Sequence, residues 1–338
     1  MLLQDFNQTS CSFCCCSPAH RILTVIFMIL LTLAILFGNV VTLAVLLSRK
    51  RFHTPQGYLK ISLAVADLAL GILVVPFSVY VEISLLSSSD SSSQDRFLAA
   101  SSGQPCSVVG LVFAGCTLVS ISTLFLLTLE RSVAILKPLH KEAVVTRSRT
   151  LHLILLSWLC SFFLALSPML FSGGGLVMEY NSCSRLCTYA PAPASPPHLW
   201  HLLLLFPAFD FSLLGATLVI NALSFTIIRQ YSRRRKRLAG REREPLKLAF
   251  SDIKAAKTIG TLTVAFTASF TPIAVFVAGN VVGYQWCTFS FFAFWILTSN
   301  SCWNVVIYCV LDQRFRQGAL RLLPPLPARS PGLQFRLC

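Results

Sequence analysis

The sequence predicts an all-α membrane protein: a seven-transmembrane helix bundle with its N-terminus outside and a short amphipathic eighth helix. Three observations carry this prediction. Of 338 residues, 55% are hydrophobic and only 12% charged, at a mean hydropathy of +0.70, whereas a soluble domain has roughly 25% charged residues. Seven apolar runs reach the ~20 residues that cross about 30 Å of hydrocarbon as a helix, a form that satisfies its own backbone where lipid offers no partner. Lys and Arg crowd alternate loops, as the positive-inside rule requires of short loops. A barrel is excluded, because its strands alternate over about 10 residues, while Ile22 to Ser48 is almost uninterruptedly apolar.

The runs follow one another along the chain. The first, 22–48, carries Asn39 at mid-span. The second, 58–86, places Asp67 at mid-span and Glu82 at its outer end. The third, 106–136, begins at Cys106, holds Ser120 and closes on Glu130-Arg131. The fourth is 151–171. The fifth, 199–228, sets Asp210 among Phe206, Phe209 and Phe211 in its outer half. The sixth, 254–279, is opened by Asp252, Lys254 and Lys257. The seventh, 288–311, contains Asn300, Ser301 and Asn304, and the two asparagines share a face at a spacing of four. Residues 1–20 are the outer N-terminus, 21–311 the bundle, and 312–338 the inner eighth helix and tail.

Orientation rests on charge. The loop after the first run has Arg49, Lys50, Arg51 and Lys60; Arg131 through Arg149 has five basic residues, Arg229 through Lys257 eleven, and the tail from Arg314 five. Only Arg21, Arg96 and Arg185 remain for the other side. The formal net charge of +15 is therefore a topology signal, not a nucleic-acid footprint, and contact of the 233–237 basic run with anionic membrane lipids is secondary. Residues 1–20 lack a basic segment leading into an apolar one, so the first span is expected to act as its own insertion signal. Asn7-Gln8-Thr9 is a glycosylation sequon on the outer side.

Thirteen cysteines do not make a zinc or disulfide scaffold. Cys116, Cys160, Cys302 and Cys309 lie within spans, as small buried hydrophobes do. Cys106 and the second outer loop's Cys183 and Cys187 face an oxidising compartment, where one bridge from Cys106 to Cys187 or Cys183 is expected. Cys11, Cys14, Cys15, Cys16 and Cys287 are external with open connectivity.

Ionisable groups in hydrocarbon cost about 2.5 to 3.5 kcal/mol at mid-helix, so Asp67, Glu130-Arg131 and Asp210 are candidate functional positions, the alternative for Asp210 being a structural or lipid-edge polar group. Asp67 with Ser120, Asn300 and Asn304 is a candidate Na⁺ site of hard oxygen donors, the alternative being a hydrogen-bonded polar staple. Arg131 has two carboxylates to choose from, Glu130 on its own helix and Asp252 on the sixth, which is the form of a switch.

These positions resemble the class A, rhodopsin-like G-protein-coupled receptors over nearly the whole chain. Gly38-Asn39-Val40 resembles the first-helix motif, Leu63 to Asp67 the second-helix motif, Cys106 the outer cysteine of the third helix, and Glu130-Arg131-Ser132 the Asp-Arg-Tyr motif. Trp158 and Pro168 match the fourth helix. Lys254 to Thr258 resembles the start of the sixth helix in biogenic-amine and trace-amine receptors, and Phe266 and Pro272 fit its middle. Asn304 to Tyr308 resembles Asn-Pro-x-x-Tyr, and Asp312 to Arg316 the eighth helix. The resemblance implies a plasma-membrane receptor, not an enzyme, that signals to a heterotrimeric G protein through Glu130, Arg131, Asp252 and Tyr308. It implies no cofactor beyond an allosteric Na⁺.

The departures are specific. Ser132 replaces the motif's Tyr, Val305 the seventh-helix Pro, and Ser269-Phe270-Thr271-Pro272 stands for Cys-Trp-x-Pro; the fifth span has Leu213 and Asn221 where the family has Pro and Tyr. They are compatible with high ligand-independent activity or with weak signalling. Phe113 stands where amine receptors place the Asp that pairs with an ammonium, so an ordinary biogenic amine loses that anchor. The ligand candidates are Asp210, Glu82, Phe113, Phe270, Phe294 and Trp295, for an unknown small molecule from outside or from lipid. The rival is a transporter or channel using Asp67 and Asp210, although no internal repeat is found. A hydrolase lacks a partner for His152, His198 or His201.

Overall fold

Apolar runs fold as helices because lipid forces every backbone group into an internal bond, and each ends where charge or a capping group returns. A computed structural model of the chain describes residues 18–48, 50–87, 97, 103–136, 145–192, 197–238, 246–284 and 286–322. Asn7 and Cys11 to Cys16 lie outside them, as do the side chains of Asp252 and Lys254. Seven described helices are long and apolar enough to cross a membrane.

Helix α1 (Pro18–Ser48) meets a 3-10 turn, Lys50–Phe52. Helix α2 (Pro55–Ala69) starts on Thr54, whose side chain accepts from the Gly57 N–H, with Pro55 supplying the fixed φ of a first helical turn. A Cβ on Gly57 would fall 1.8 Å from the Phe52 carbonyl oxygen, so only glycine permits this tight entry. The same span continues through a π-helical turn, Leu70–Val74, into α3 (Val75–Ser87). Pro76 explains the wide turn: it has no N–H to give the Ile72 carbonyl, and its ring would press on that oxygen.

Helix α4 (Gln104–Leu136) is the axis of the bundle. It packs on α2, α5 (Arg147–Phe171), α6 (Leu205–Leu238) and α7 (Leu246–Val282), and 61% of its apolar stretch is buried against 22% of that of α5. Helix α8 (Cys287–Leu311) packs on α7 and α1. Helix α9 (Gln313–Leu320) is capped by Asp312, which accepts from the N–H groups of Arg314 and Phe315. Phe315 is fully buried, and the missing side chain of Gly318 lets α9 lie against Val45 of α1.

Residues 172–198, expected as an outer loop, contain an antiparallel hairpin: β1 (Leu176–Asn181) and β2 (Leu186–Pro191), in register from Leu176 opposite Pro191 to Asn181 opposite Leu186. The all-helical prediction thus lacked one small sheet. Leu176, Met178 and Tyr180 point inward and Glu179 outward, the alternation of a half-buried strand. The Asn181 side chain accepts from the N–H groups of Cys183 and Ser184, shaping the turn. Arg185 closes it at φ 56°, a left-handed conformation uncommon for a residue with a Cβ.

Candidate functional site: a cavity, a polar centre and a basic end

The hairpin is strapped over one end of the bundle. Cys106 bonds to Cys187, which resolves the two sequence alternatives, and Cys183 bonds to Cys287 at the start of α8. That second bridge was not foreseen. An ion pair adds to it: Glu82 Oε2 accepts from Arg185 Nη1 at 3.0 Å, and Glu82 Oε1 from the Tyr180 hydroxyl at 2.8 Å. Both ionised side chains are almost wholly buried. Burial, then the neighbouring Glu82 charge, pushes the Tyr180 hydroxyl well above its usual range, so it stays a donor. Trp295 completes the strap by donating from Nε1 to the Ser184 carbonyl at 2.9 Å.

Beneath the hairpin, among α4, α6, α7 and α8, lies a cavity with about 920 Å³ unoccupied by protein atoms. Four of the six ligand candidates line it: Phe113, Asp210, Phe270 and Phe294. Glu82 and Trp295 do not, and their polar atoms are engaged by the hairpin. Phe294 lies 6.0 Å from Phe113 and 5.6 Å edge-on from Phe276. Phe206 stacks on Tyr189 at 5.3 Å, and the Tyr189 hydroxyl is spent on the Ala165 carbonyl. Among the described residues no lysine, arginine or histidine lines the cavity, and Asp210 is the one charged residue among them. Asp210 is 7% exposed, and its Oδ1 has no hydrogen-bond partner among the described residues.

In the middle of the bundle Asp67 Oδ2 accepts from Asn304 Nδ2 at 2.7 Å, and Asn39 Nδ2 reaches the Ser301 carbonyl at 2.9 Å. These two bonds join spans 1, 2 and 7. Ser120 Oγ, Asn300 Oδ1 and Asn304 Oδ1 are buried without a partner among the described residues. Such oxygens are the donor type a hard cation takes, so the residues fit Na⁺ chemically, although no hydrogen bond joins Ser120 or Asn300 to Asp67.

At the basic end, Arg131 Nε lies 3.4 Å from Glu130 Oε2; the proposed alternative partner, Asp252, lies outside the described side chains. A connection that sequence reading missed stands close by. Lys60 Nζ is 3.2 Å from Asp312 Oδ2 and 4.4 Å above the Tyr308 ring, which itself packs on Phe315 at 5.6 Å. A basic residue on the buried face of α2 was its only signal. Val305, in place of the motif's Pro, fits into the gap left by Gly38.

A profile described as "7 transmembrane receptor (rhodopsin family)" matches residues 38–308. The chain belongs to the rhodopsin family of seven-transmembrane receptors. The RYamide receptor of Drosophila melanogaster is 26% identical over 90% of this chain, which spans 62% of that protein, less than two thirds of its length. Human probable G-protein coupled receptor 21 is 27% identical over 94% of this chain and 90% of its own, and the dog histamine H2 receptor 25% over 95% and 85%. This rhodopsin-family member is therefore a multi-pass plasma-membrane protein and not an enzyme. The transporter alternative has no support among these relatives.

Proposed function

We propose that the chain is a signalling receptor in which a small molecule in the cavity biases two arrangements of the bundle, and the basic end couples one of them to a heterotrimeric G protein. One observation carries this reading. Helix α4 presents Phe113 to the cavity and Glu130-Arg131 to the basic end, roughly 27 Å apart along a single rigid rod. A ligand shifts such an equilibrium only through its differential affinity for the two states. With the N-terminus outside, the cavity opens to the exterior or the outer leaflet, and Arg131 faces the cytoplasm. Asp67, Ser120, Asn300 and Asn304 would hold a Na⁺ that offsets the Asp67 charge, and Tyr308 completes the switch region. The dog relative is named for histamine, but Phe113 supplies no carboxylate for an amine on α4.

The test compares basal cAMP and calcium in cells expressing wild type, Arg131→Ala or Asp67→Ala at matched surface levels. A change in basal output for both variants is expected. Identical output from all three and from untransfected cells overturns the coupling.

A further inference from the structure

Asp210 is the group in the cavity without an explanation. It sits in α6 one turn beyond Phe206 and Pro207, in a wall that is otherwise mostly aromatic and aliphatic. Three of the polar side chains in the wall are committed, and the fourth, Thr188, brings no charge: Thr117 donates to the Phe113 carbonyl, Asn181 caps the hairpin turn, and Tyr189 donates to the Ala165 carbonyl. Asp210 takes part in no ion pair among the described residues, and its Oδ1 is buried and unpartnered. The acids of the other described ion pairs, Glu82, Glu130 and Asp312, have their own cations.

A buried carboxylate left unpaired is costly, and in apolar surroundings it either takes up a proton or is met by a cation that also brings hydrogen-bond donors. None of the described residues of the wall supplies such a cation. We infer that the cavity takes a monocationic amine with an apolar, aromatic body, its ammonium seated on the Asp210 carboxylate of α6 and its body against Phe113, Phe270 and Phe294. This rests on the receptor reading above and adds to it the ligand's class and polarity. The ligand lies reversed relative to one anchored on α4: its charge points toward α6 and its rings toward α4 and α8. One ammonium suits one carboxylate, since Glu82 is already neutralised by Arg185 outside the lining. A dication would leave its second charge among phenylalanines.

The experiment needs no signalling. Full-length receptor in lipid nanodiscs is titrated with phenylpropylamine and with its neutral isostere phenylpropanol, to millimolar concentration, and the thermal unfolding midpoint is read. Expected is a saturable upward shift with the amine and none with the alcohol. Asp210→Asn should weaken the amine roughly 10- to 100-fold, the loss of one charge-assisted hydrogen bond, while Asp210→Glu retains binding. Equal shifts with amine and alcohol, no amine shift in wild type, or an amine response unchanged in Asp210→Asn would each overturn the inference. If Asp210→Asn does not fold, the amine-against-alcohol comparison in wild type and Asp210→Glu still decides it. A wild-type receptor that binds amine but shows no basal or amine-evoked cAMP or calcium change in cells would sink the coupling proposal and leave this one standing.

Discussion

Glu82 and Arg185 show how a single pair of residues can fix a loop. Their side chains are 4% and 3% exposed, and Arg185 is held at positive φ, so the ion pair and the turn stabilise each other. Removing one partner of a buried pair strands the other charge, at about 3 to 5 kcal/mol. Arg185→Ala is therefore expected to lower the thermal midpoint and surface expression strongly. Glu82→Gln/Arg185→Ala together should cost less than Arg185→Ala alone, and nanodisc thermal unfolding of the three proteins checks the order. None of this was legible in sequence. The two residues are separated by 103 positions, and Glu82 alone looked like a ligand contact because nothing local assigns it a partner. Asp210 was legible, since an ionisable residue inside an apolar run is conspicuous by itself. What sequence could not supply was that its Oδ1 has no hydrogen-bond partner among the described residues.

At the scale of elements, the spans were readable to within a few residues because hydrocarbon demands continuous apolarity, except where α6 and α7 extend past the apolar stretch to Leu238 and from Leu246. The hairpin was not, because its inward alternation of Leu176, Met178 and Tyr180 is short and sits between glycine-rich and proline-rich stretches. The eighth helix was anticipated at Asp312 to Arg316, and its anchor is electrostatic. Burial raises the Asp312 carboxyl, but the Lys60 ammonium and the N–H groups of Phe315 and Arg314 outweigh burial and hold it below the usual carboxylate range. A lowered carboxyl contributes stability that is complete above its unfolded value, near pH 4, and is lost as pH falls through the folded one. Docking of α9 should hence weaken on acidification below about pH 4. In Asp312→Asn it should already be weak at neutral pH and insensitive to that acid step. Hydrogen exchange of residues 313–320 against pH measures both.

At the scale of the whole molecule, the two ends of the bundle are tied in different ways among the described residues. Two disulfides, one ion pair and an indole hydrogen bond secure the hairpin end. The opposite end is held among the described residues by Glu130-Arg131, Lys60-Asp312 and the Tyr308 ring. The proposed function turns the stapled cavity end outward and the basic end toward a transducer. It also demands one orientation. With the N-terminus outside, glycosidase treatment of protein from intact cells should sharpen its gel mobility, Asn7→Gln should abolish that change, and a C-terminal epitope should stain only after permeabilisation. Staining of the C-terminus on intact cells would reverse the assigned topology. The motifs gave the chain's family from sequence alone, because they report helix-to-helix contacts such as Asn304 on Asp67. The direction of the ligand's charge needed the cavity.

The wide turn at Leu70–Val74 has a geometric consequence for this asymmetry. There the Val75 N–H bonds to the Leu70 carbonyl, five positions back instead of four. The extra residue acts like a washer under a screw head, offsetting everything beyond it by about 100° of azimuth. Excise one residue from that turn, and the half-span up to Ser87 swivels: the carboxylate that grips the loop would sweep away from its guanidinium, while every motif residue before the turn kept its place.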